Sequence, residues 1–240
     1  MKKLSKILAT IMLMTAVVLA QGCKPDNNPN ENENEIDNPE VVEIHEFVDL
    51  GLPSGTLWAT CNVGASTPEG YGDFFAWGET QPKNTYTWSN YKYCSGSADQ
   101  LTKYCSDPEF GSGGFTDQLT VLQAPDDAAT VQWGNDWHTP TSAQCNELKK
   151  HATHFWTTQN DVNGMKFTGP NGNSIFLPAA GICTENPNLI GTYGYYWTNE
   201  LLSSKKADDF VFRTNGFMVD LYGTENREGG KCIRPVRSVK

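Results

Sequence analysis

The segment from Phe47 to Thr80 constrains the fold most, because it combines bulky aromatic side chains with frequent glycines. Its aromatic residues include Trp58, Phe75 and Trp77, and six glycines are distributed among them. Aromatic side chains need a core, and glycine permits the tight turns that end a strand after a few residues. We therefore predict short strands joined by tight turns, with a core built from aromatic residues. The segment carries few groups that could perform chemistry.

The length and the net charge of the chain limit how many domains it can form and which partners it can bind. The chain has 240 residues, of which 38% are hydrophobic, which is enough for one good core. Its formal net charge is −10. An acidic surface repels phosphate backbones, so we expect no nucleic-acid partner.

Residues 1–22 have the pattern of an export signal. A basic start is followed by the apolar run Ile7–Ala20, which is shorter than the roughly 20 residues that span a bilayer. The segment Ala20–Cys23 resembles a bacterial lipobox, although that pattern prefers leucine where Ala20 stands. The resemblance implies that Cys23 is the lipidated first residue of the mature protein, with the membrane as a partner through its acyl chains. The alternative is an ordinary secretory signal with an unrelated cysteine.

Residues 23–44 are predicted to be the lipidated cysteine and a disordered acidic tether. Lys24–Glu40 contains six asparagines, six acidic residues and three prolines, so it cannot bury enough surface to fold. Such an acidic tract also resembles signals that send lipoproteins to the outer face of the outer membrane. A plain solvated spacer is the alternative. We assign residues 45–240 to a single domain.

The domain itself is predicted to be mostly β-structure. Alternating apolar residues from Val42 to Leu50 suit a half-buried first strand, and Thr56–Val63 continues the pattern. Two hairpins are predicted, one from 165–168 and 174–177 and one from 210–214 and 217–222 around Asn215-Gly216. Two more strands are predicted at 195–197 and 232–237.

One helix is predicted, from Ser142 to Ala152. Thr141 and Gln144 match a capping box at its start. Cys145 and Leu148 lie on its apolar stripe. Together these elements predict an α+β fold with a twisted antiparallel sheet, one main helix and long loops.

Several spaced segments resemble one family. They include FVDLGLPSGTLWATCNVGASTPEGYGDFFAWGET from residue 47, APDDAATVQWGNDW from residue 124, NGNSIFLPAAG from residue 171 and IRPVR from residue 233. These segments are similar, in the same order, to the Fibrobacter succinogenes major paralogous domain family, which is abundant in exported proteins of gut Bacteroidetes. The resemblance implies a C-type lectin-like fold whose N- and C-terminal strands pair and whose long loops gather on one side. The chain departs from the family at His138, where arginine is usual.

Six cysteines remain besides Cys23, and an exported chain favours disulfides over metal. Six cysteines allow fifteen pairings. Cys94 and Cys105 would close a short loop. Cys183 and Cys232 stand where the family usually has other residues, and their joint appearance suggests that they pair. Cys61 and Cys145 are then either buried thiols or a third pair.

The C-type lectin resemblance suggests a calcium site. C-type lectins bind Ca²⁺ through loop oxygens of a Glu-Pro-Asn triplet followed by Trp-Asn-Asp. The sequences Glu185–Asn188 and Trp197–Glu200 have these ingredients in order, but neither triplet is intact. The candidate ligands are Glu185, Asn188, Asn199 and Glu200. The alternative is a loop of turn-forming residues followed by a core strand. We expect no other cofactor.

Exposed aromatic residues could form a second kind of sugar-binding site. The candidates are Trp88, Tyr91, Tyr93 and Tyr104, because they lie in or beside a Gly/Ser-rich region. An exposed ring would stack on a pyranose, whereas the alternative is packing against neighbouring loops.

The sequence contains none of the common nucleophile, zinc-hydrolase, phosphate-loop or dinucleotide motifs. We therefore expect a lipid-anchored cell-surface protein with a non-catalytic domain for binding or adhesion to glycan or protein ligands. The alternatives are a structural subunit of the cell envelope or of a fimbrial assembly, and an enzyme of an unrecognised kind.

Overall fold

The computed structural model describes residues 45–214 and 226–238. The expected leader, Cys23 and the tether lie outside the described residues. The second strand of the hairpin predicted around Asn215-Gly216 also lies outside them.

The described residues form ten strands and two α-helices. The strands are β1 (Phe47–Asp49), β2 (Leu57–Ala59), β3 (Thr153–Gln159), β4 (Val162–Thr168), β5 (Ser174–Pro178), β6 (Ile182–Cys183), β7 (Pro187–Asn188), β8 (Tyr193–Ser203), β9 (Lys206–Arg213) and β10 (Val236–Arg237). The helices are α1 (Ala128–Trp133) and α2 (Ser142–His151), and single 3₁₀ turns lie at Trp88–Asn90, Ser112–Gly114 and Ala124–Asp126. This is a mixed α+β architecture in which long loops connect β2 to α1.

The strands form four small antiparallel sheets, ordered β1-β2-β10, β3-β4-β5, β6-β7 and β8-β9. The sequence predicted a single twisted antiparallel sheet, whereas the described residues contain four small ones. Strands near the N-terminus are short because the chain turns at glycines such as Gly51 and Gly55, whose φ angles are 68° and 71°. The backbone there leaves the extended conformation after only a few residues.

The first sheet brings the two ends of the domain together. Trp58 in β2 lies opposite Val48 of β1 on one side and Val236 of β10 on the other. The resemblance led us to expect the N- and C-terminal strands to pair with each other. They instead share β2 as their common neighbour.

The second sheet contains a hairpin that was predicted and one that was not. β4 and β5 pair around the turn at residues 169–173, as the sequence indicated. β3 and β4 are joined by Asn160 and Asp161, both with positive φ (46° and 64°). Two central residues with positive φ define the type I′ turn that suits a hairpin. The Asn-Asp pair was the signal for this hairpin.

The strands predicted at Tyr195–Trp197 and from Phe210 are both present. They pair with each other as parts of β8 and β9, with Tyr196 opposite Phe210. The ladder is irregular after Trp197, where the register shifts. The partner predicted for Phe210, residues 217–222, lies outside the described residues.

Helix α2 begins as the sequence predicted. The Thr141 hydroxyl accepts a hydrogen bond from the Gln144 amide, and the Gln144 side chain accepts one from the Thr141 amide. Cys145 and Leu148 are buried on its inner face. Helix α1 was not predicted; Asp127 caps its start by accepting a hydrogen bond from the Ala129 amide.

Among the described residues the core consists of two clusters, and the segment from Phe47 to Thr80 contributes to both. Trp58 belongs to the first cluster, with Phe167 and Phe212 among its members. Phe75 and Trp77 belong to the second, beside Trp197. The prediction that this segment builds the core is confirmed.

Candidate functional site

None of the expected disulfides is formed among the described residues, where all six cysteines are free. The Cys94 thiol donates to the Trp88 carbonyl at 2.9 Å and the Cys105 thiol to the Asp107 carbonyl at 3.1 Å. Cys183 packs in the second core cluster, whereas Cys232 packs in the first. The two cysteines of each expected disulfide therefore contact different residues.

The aromatic residues chosen as a sugar platform are mostly core residues. Tyr91, Tyr93 and Tyr104 are only 3%, 6% and 0% exposed, and Trp88 is half-buried against the same cluster. The Tyr91 hydroxyl donates to the Trp77 carbonyl at 2.7 Å. Of the two alternatives, packing against neighbouring residues is the one observed for the three tyrosines, which are buried in the second core cluster.

Tyr93 and Tyr104 instead hold a buried carboxylate. Both hydroxyls donate to Asp126, the Tyr104 bond measuring 2.7 Å, and Lys103 Nζ lies 2.5 Å from Asp126 Oδ2. Burial by itself raises the pKa of Asp126, but the hydrogen bonds from Lys103 and the two tyrosines outweigh it, so the net pKa is lowered. Because Lys103 and both tyrosines donate to Asp126, this cluster holds together the loops that carry these residues.

The four candidate calcium ligands are placed in two different settings. Glu185 and Asn188 are exposed on the β6-β7 hairpin. Glu200 accepts a hydrogen bond from the Ser142 amide at 3.1 Å, and the Asn199 amide donates to the Pro140 carbonyl at 2.9 Å. Glu200 thus stabilises the start of α2, where a negative charge is favoured. In the described part of the chain, no group of three or more His, Cys, Asp or Glu side chains is placed to hold a metal ion.

A cavity of about 540 Å³ lies where three separate segments meet. We call it the Trp133 cavity. Its lining comes from the chain before β1, the loop after β2 and the end of α1, namely His45, Glu46, Thr60, Cys61, Gly64, Ala65, Ser66, Gln132 and Trp133. The volume is in the range of known small-molecule sites, about 300–1,000 Å³.

Backbone hydrogen bonds fix the floor of the Trp133 cavity. The Thr60 amide donates to the Glu46 carbonyl at 3.0 Å and ties the loop after β2 to the chain before β1. Gly64 has a φ of 81°, and a Cβ there would lie 2.5 Å from Asp73 Oδ2. Only glycine fits at this point of the floor without a shift of its neighbours.

Arg234 supports the same loop from beneath. Its guanidinium is 1% exposed and donates to the carbonyls of Ala59 and Thr60 at 3.1 and 2.7 Å. It also donates to Asn62 Oδ1 at 2.8 Å. These fixed donors hold the carbonyls of the loop in one direction and so set the shape of the floor.

The aromatic wall of the cavity is built by stacking. The His45 ring lies 3.8 Å from that of Trp133 at an interplanar angle of 7°, and Trp137 meets Trp133 edge-on at 5.2 Å. Gln132, which also lines the cavity, donates from its side-chain amide to the Thr80 carbonyl at 2.9 Å. An aromatic ring beside hydroxyl, amide and carboxyl groups is a combination that can hold a polar ligand with an apolar face.

The sequence analysis missed the Trp133 cavity. None of its lining residues was a candidate site residue, because they come from three segments that are far apart in the chain. The available signal was Trp133 itself, a large aromatic residue beside polar Gln132 at the end of a helix capped by Asp127.

The fold and the cavity define an α+β domain with several small antiparallel sheets and a polar, aromatic-walled pocket. No protein-family model, curated protein or solved structure matches the chain. Within the described ranges no helix has both the length and the apolar character needed to cross a membrane.

Proposed function

We propose that this protein is a lipid-anchored, non-catalytic binding module of the bacterial cell surface, with a C-type lectin-like domain that holds a glycan in the Trp133 cavity. The observation that carries the proposal is the grouping of Trp133 with polar neighbours in a cavity of about 540 Å³. A pyranose has an apolar face and a rim of hydroxyl groups, so it suits an indole beside hydrogen-bonding groups.

The anchor and the location rest on the sequence. The basic start, apolar run and Cys23 support lipidation, and the acidic tract after Cys23 supports the outer face of the outer membrane. A tether would keep a domain clear of the headgroups and present it to glycans outside the cell.

The lectin-like assignment is supported by the ends of the domain. β1 and β10 flank the same strand, β2, so both termini leave from one sheet. The long connection from β2 to α1 supports the expected loop region. Adjacent domain ends and a long loop region support the C-type lectin-like arrangement that the resemblance implies.

A structural role in an envelope or fimbrial assembly is the second candidate. It is favoured by β3, the outer strand of its sheet within the described residues, which carries Phe155 at 52% exposure. An exposed strand edge can pair with another chain.

A glycan array probed with the purified protein tests the proposal, followed by calorimetric titration of any glycan that binds. Trp133→Ala should weaken binding at least about tenfold, which corresponds to about 1.4 kcal/mol. Gln132→Ala should weaken it less, because an exposed hydrogen bond contributes about 1 kcal/mol.

Phe155→Ala is the matched control, because it removes an exposed aromatic ring outside the cavity. Melting curves of all three variants would establish that they fold. Equal binding by Trp133→Ala and the native protein would refute the cavity as the site. A blank array together with recovery of envelope subunits would favour the structural role.

A further inference from the structure

A lysine and an aspartate are buried together between β9 and the segment before β10. The side chains of Lys231 and Asp209 are both 0% exposed, and Lys231 Nζ donates to Asp209 Oδ2. Lys231 Nζ also lies 3.9 Å from the centre of the Trp197 ring. The two charged groups therefore meet in an aromatic enclosure shielded from water.

Such surroundings favour proton transfer within the pair. Burial penalises both charged forms, so an ammonium ion loses its proton more easily and a carboxylate gains one more easily. The transfer produces a neutral amine beside a neutral carboxylic acid. A desolvated, neutral lysine amine is a nucleophile.

The backbone holds both partners in place. Lys231 and Phe75 exchange two backbone hydrogen bonds, of 3.0 and 2.9 Å. Asp209 lies in β9 directly opposite Trp197 of β8. Reacting groups that are held in contact react as if at very high concentration, because the entropy of bringing them together has already been lost.

We propose that Lys231 and Asp209 form an intramolecular isopeptide bond. The Lys231 nitrogen attacks Cγ of Asp209, a carbon–nitrogen bond forms, and one carbon–oxygen bond of the carboxyl group breaks. The departing oxygen leaves as water with two protons that the ammonium group originally carried. The products are one amide and one water molecule, and no oxidant, reductant or further reactant is needed.

The bond would connect two positions that are 22 residues apart in the chain. It would fasten the segment before β10 to β9 and replace two buried charges with one neutral amide. A covalent closure of this kind restricts the unfolded chain.

Tryptic peptide mapping of the full-length native protein tests the proposal. Without the bond, trypsin would cut after Lys231 and release Glu228–Lys231 separately from Ala207–Arg213. With the bond, Lys231 would resist cleavage, and Ala207–Arg213 would be found joined to Glu228–Arg237. The joined mass should be lower than the sum of the two peptide masses by one water molecule.

Variants make the assignment specific. Asp209→Ala should abolish the joined peptide, whereas Asp209→Asn should preserve it with release of ammonia in place of water. Lys205→Ala, which removes a lysine from the exposed pair with Asp99, should leave it unchanged. Recovery of only the two linear peptides from the native protein would overturn the proposal, and that measurement does not depend on whether any variant folds.

Discussion

Replacing Arg234 with methionine should lower stability more than most single substitutions. The guanidinium makes four hydrogen bonds, to Asn62 Oδ1 and to the carbonyls of Ala59, Thr60 and Phe176, with lengths from 2.7 to 3.1 Å. Methionine has a similar length but no donor. The variant would leave four acceptors without their present partner.

The expected loss is about 3–5 kcal/mol. Each buried acceptor that loses its donor costs about 1–3 kcal/mol, but the variant also removes the cost of burying a cation. Burial lowers the pKa of the Arg234 guanidinium, which is a sign of that cost. At about 2–4 °C per kcal/mol for a domain of this size, Tm should fall by roughly 10 °C.

Urea unfolding at neutral pH measures this loss, and Lys205→Met is the control. Lys205 and Asp99 form a pair at 3.6 Å with side chains 35% and 68% exposed, so its removal should cost less than about 1 kcal/mol. A loss of less than about 1 kcal/mol for Arg234→Met would refute the reasoning that these bonds hold the loop. The same variant should weaken glycan binding, because two of the four acceptors, the Thr60 carbonyl and Asn62 Oδ1, belong to the loop after β2 that lines the cavity.

Three further predictions follow from other contacts. Thr141→Ala should cost about 1 kcal/mol in urea unfolding, because it removes the 3.1 Å bond from the Gln144 amide; no loss would show that the cap contributes nothing. Asp126→Asn should destabilise the protein at neutral pH, because hydrogen bonds from Lys103 and the two tyrosines lower the pKa of Asp126 in the folded state. A lowered pKa contributes stability that is present above about pH 4 and is lost as the pH falls further. The urea midpoint of the variant should therefore depend less on pH in the acidic range than that of the native protein, and parallel pH profiles would contradict this. Millimolar calcium should leave the melting temperature unchanged, because the Glu200 carboxylate already accepts a hydrogen bond at the start of α2. A rise in the melting temperature would contradict this and support the calcium site.

Two structural signals carried by neighbouring residues were interpreted correctly from the sequence. The capping box at Thr141 and the β4-β5 hairpin depend on residues within a few positions of one another, and both are present. The Asn160-Asp161 turn was equally local, but it was not recognised. In these elements the backbone conformation follows from propensities and hydrogen bonds that the chain can form locally.

The candidate site could not be found in this way. Tyr93 and Tyr104 lie in a region rich in glycine and serine that suggested an exposed loop, but Asp126, more than twenty residues further along, accepts hydrogen bonds from both of them. A polar partner so distant in sequence removes the cost of burying a tyrosine hydroxyl. Whether an aromatic residue faces a ligand or the core was therefore decided by its partner.

The amino-acid sequence by itself determined that this chain has an acidic character, a core of aromatic residues, a capped helix and short strands. These properties follow from composition and from local patterns. The tertiary structure alone decided that Trp133, His45 and the loop after β2 share one cavity, and that Lys231 meets Asp209 away from water. Such contacts join distant segments, and their free energy depends on burial and geometry that no local pattern contains.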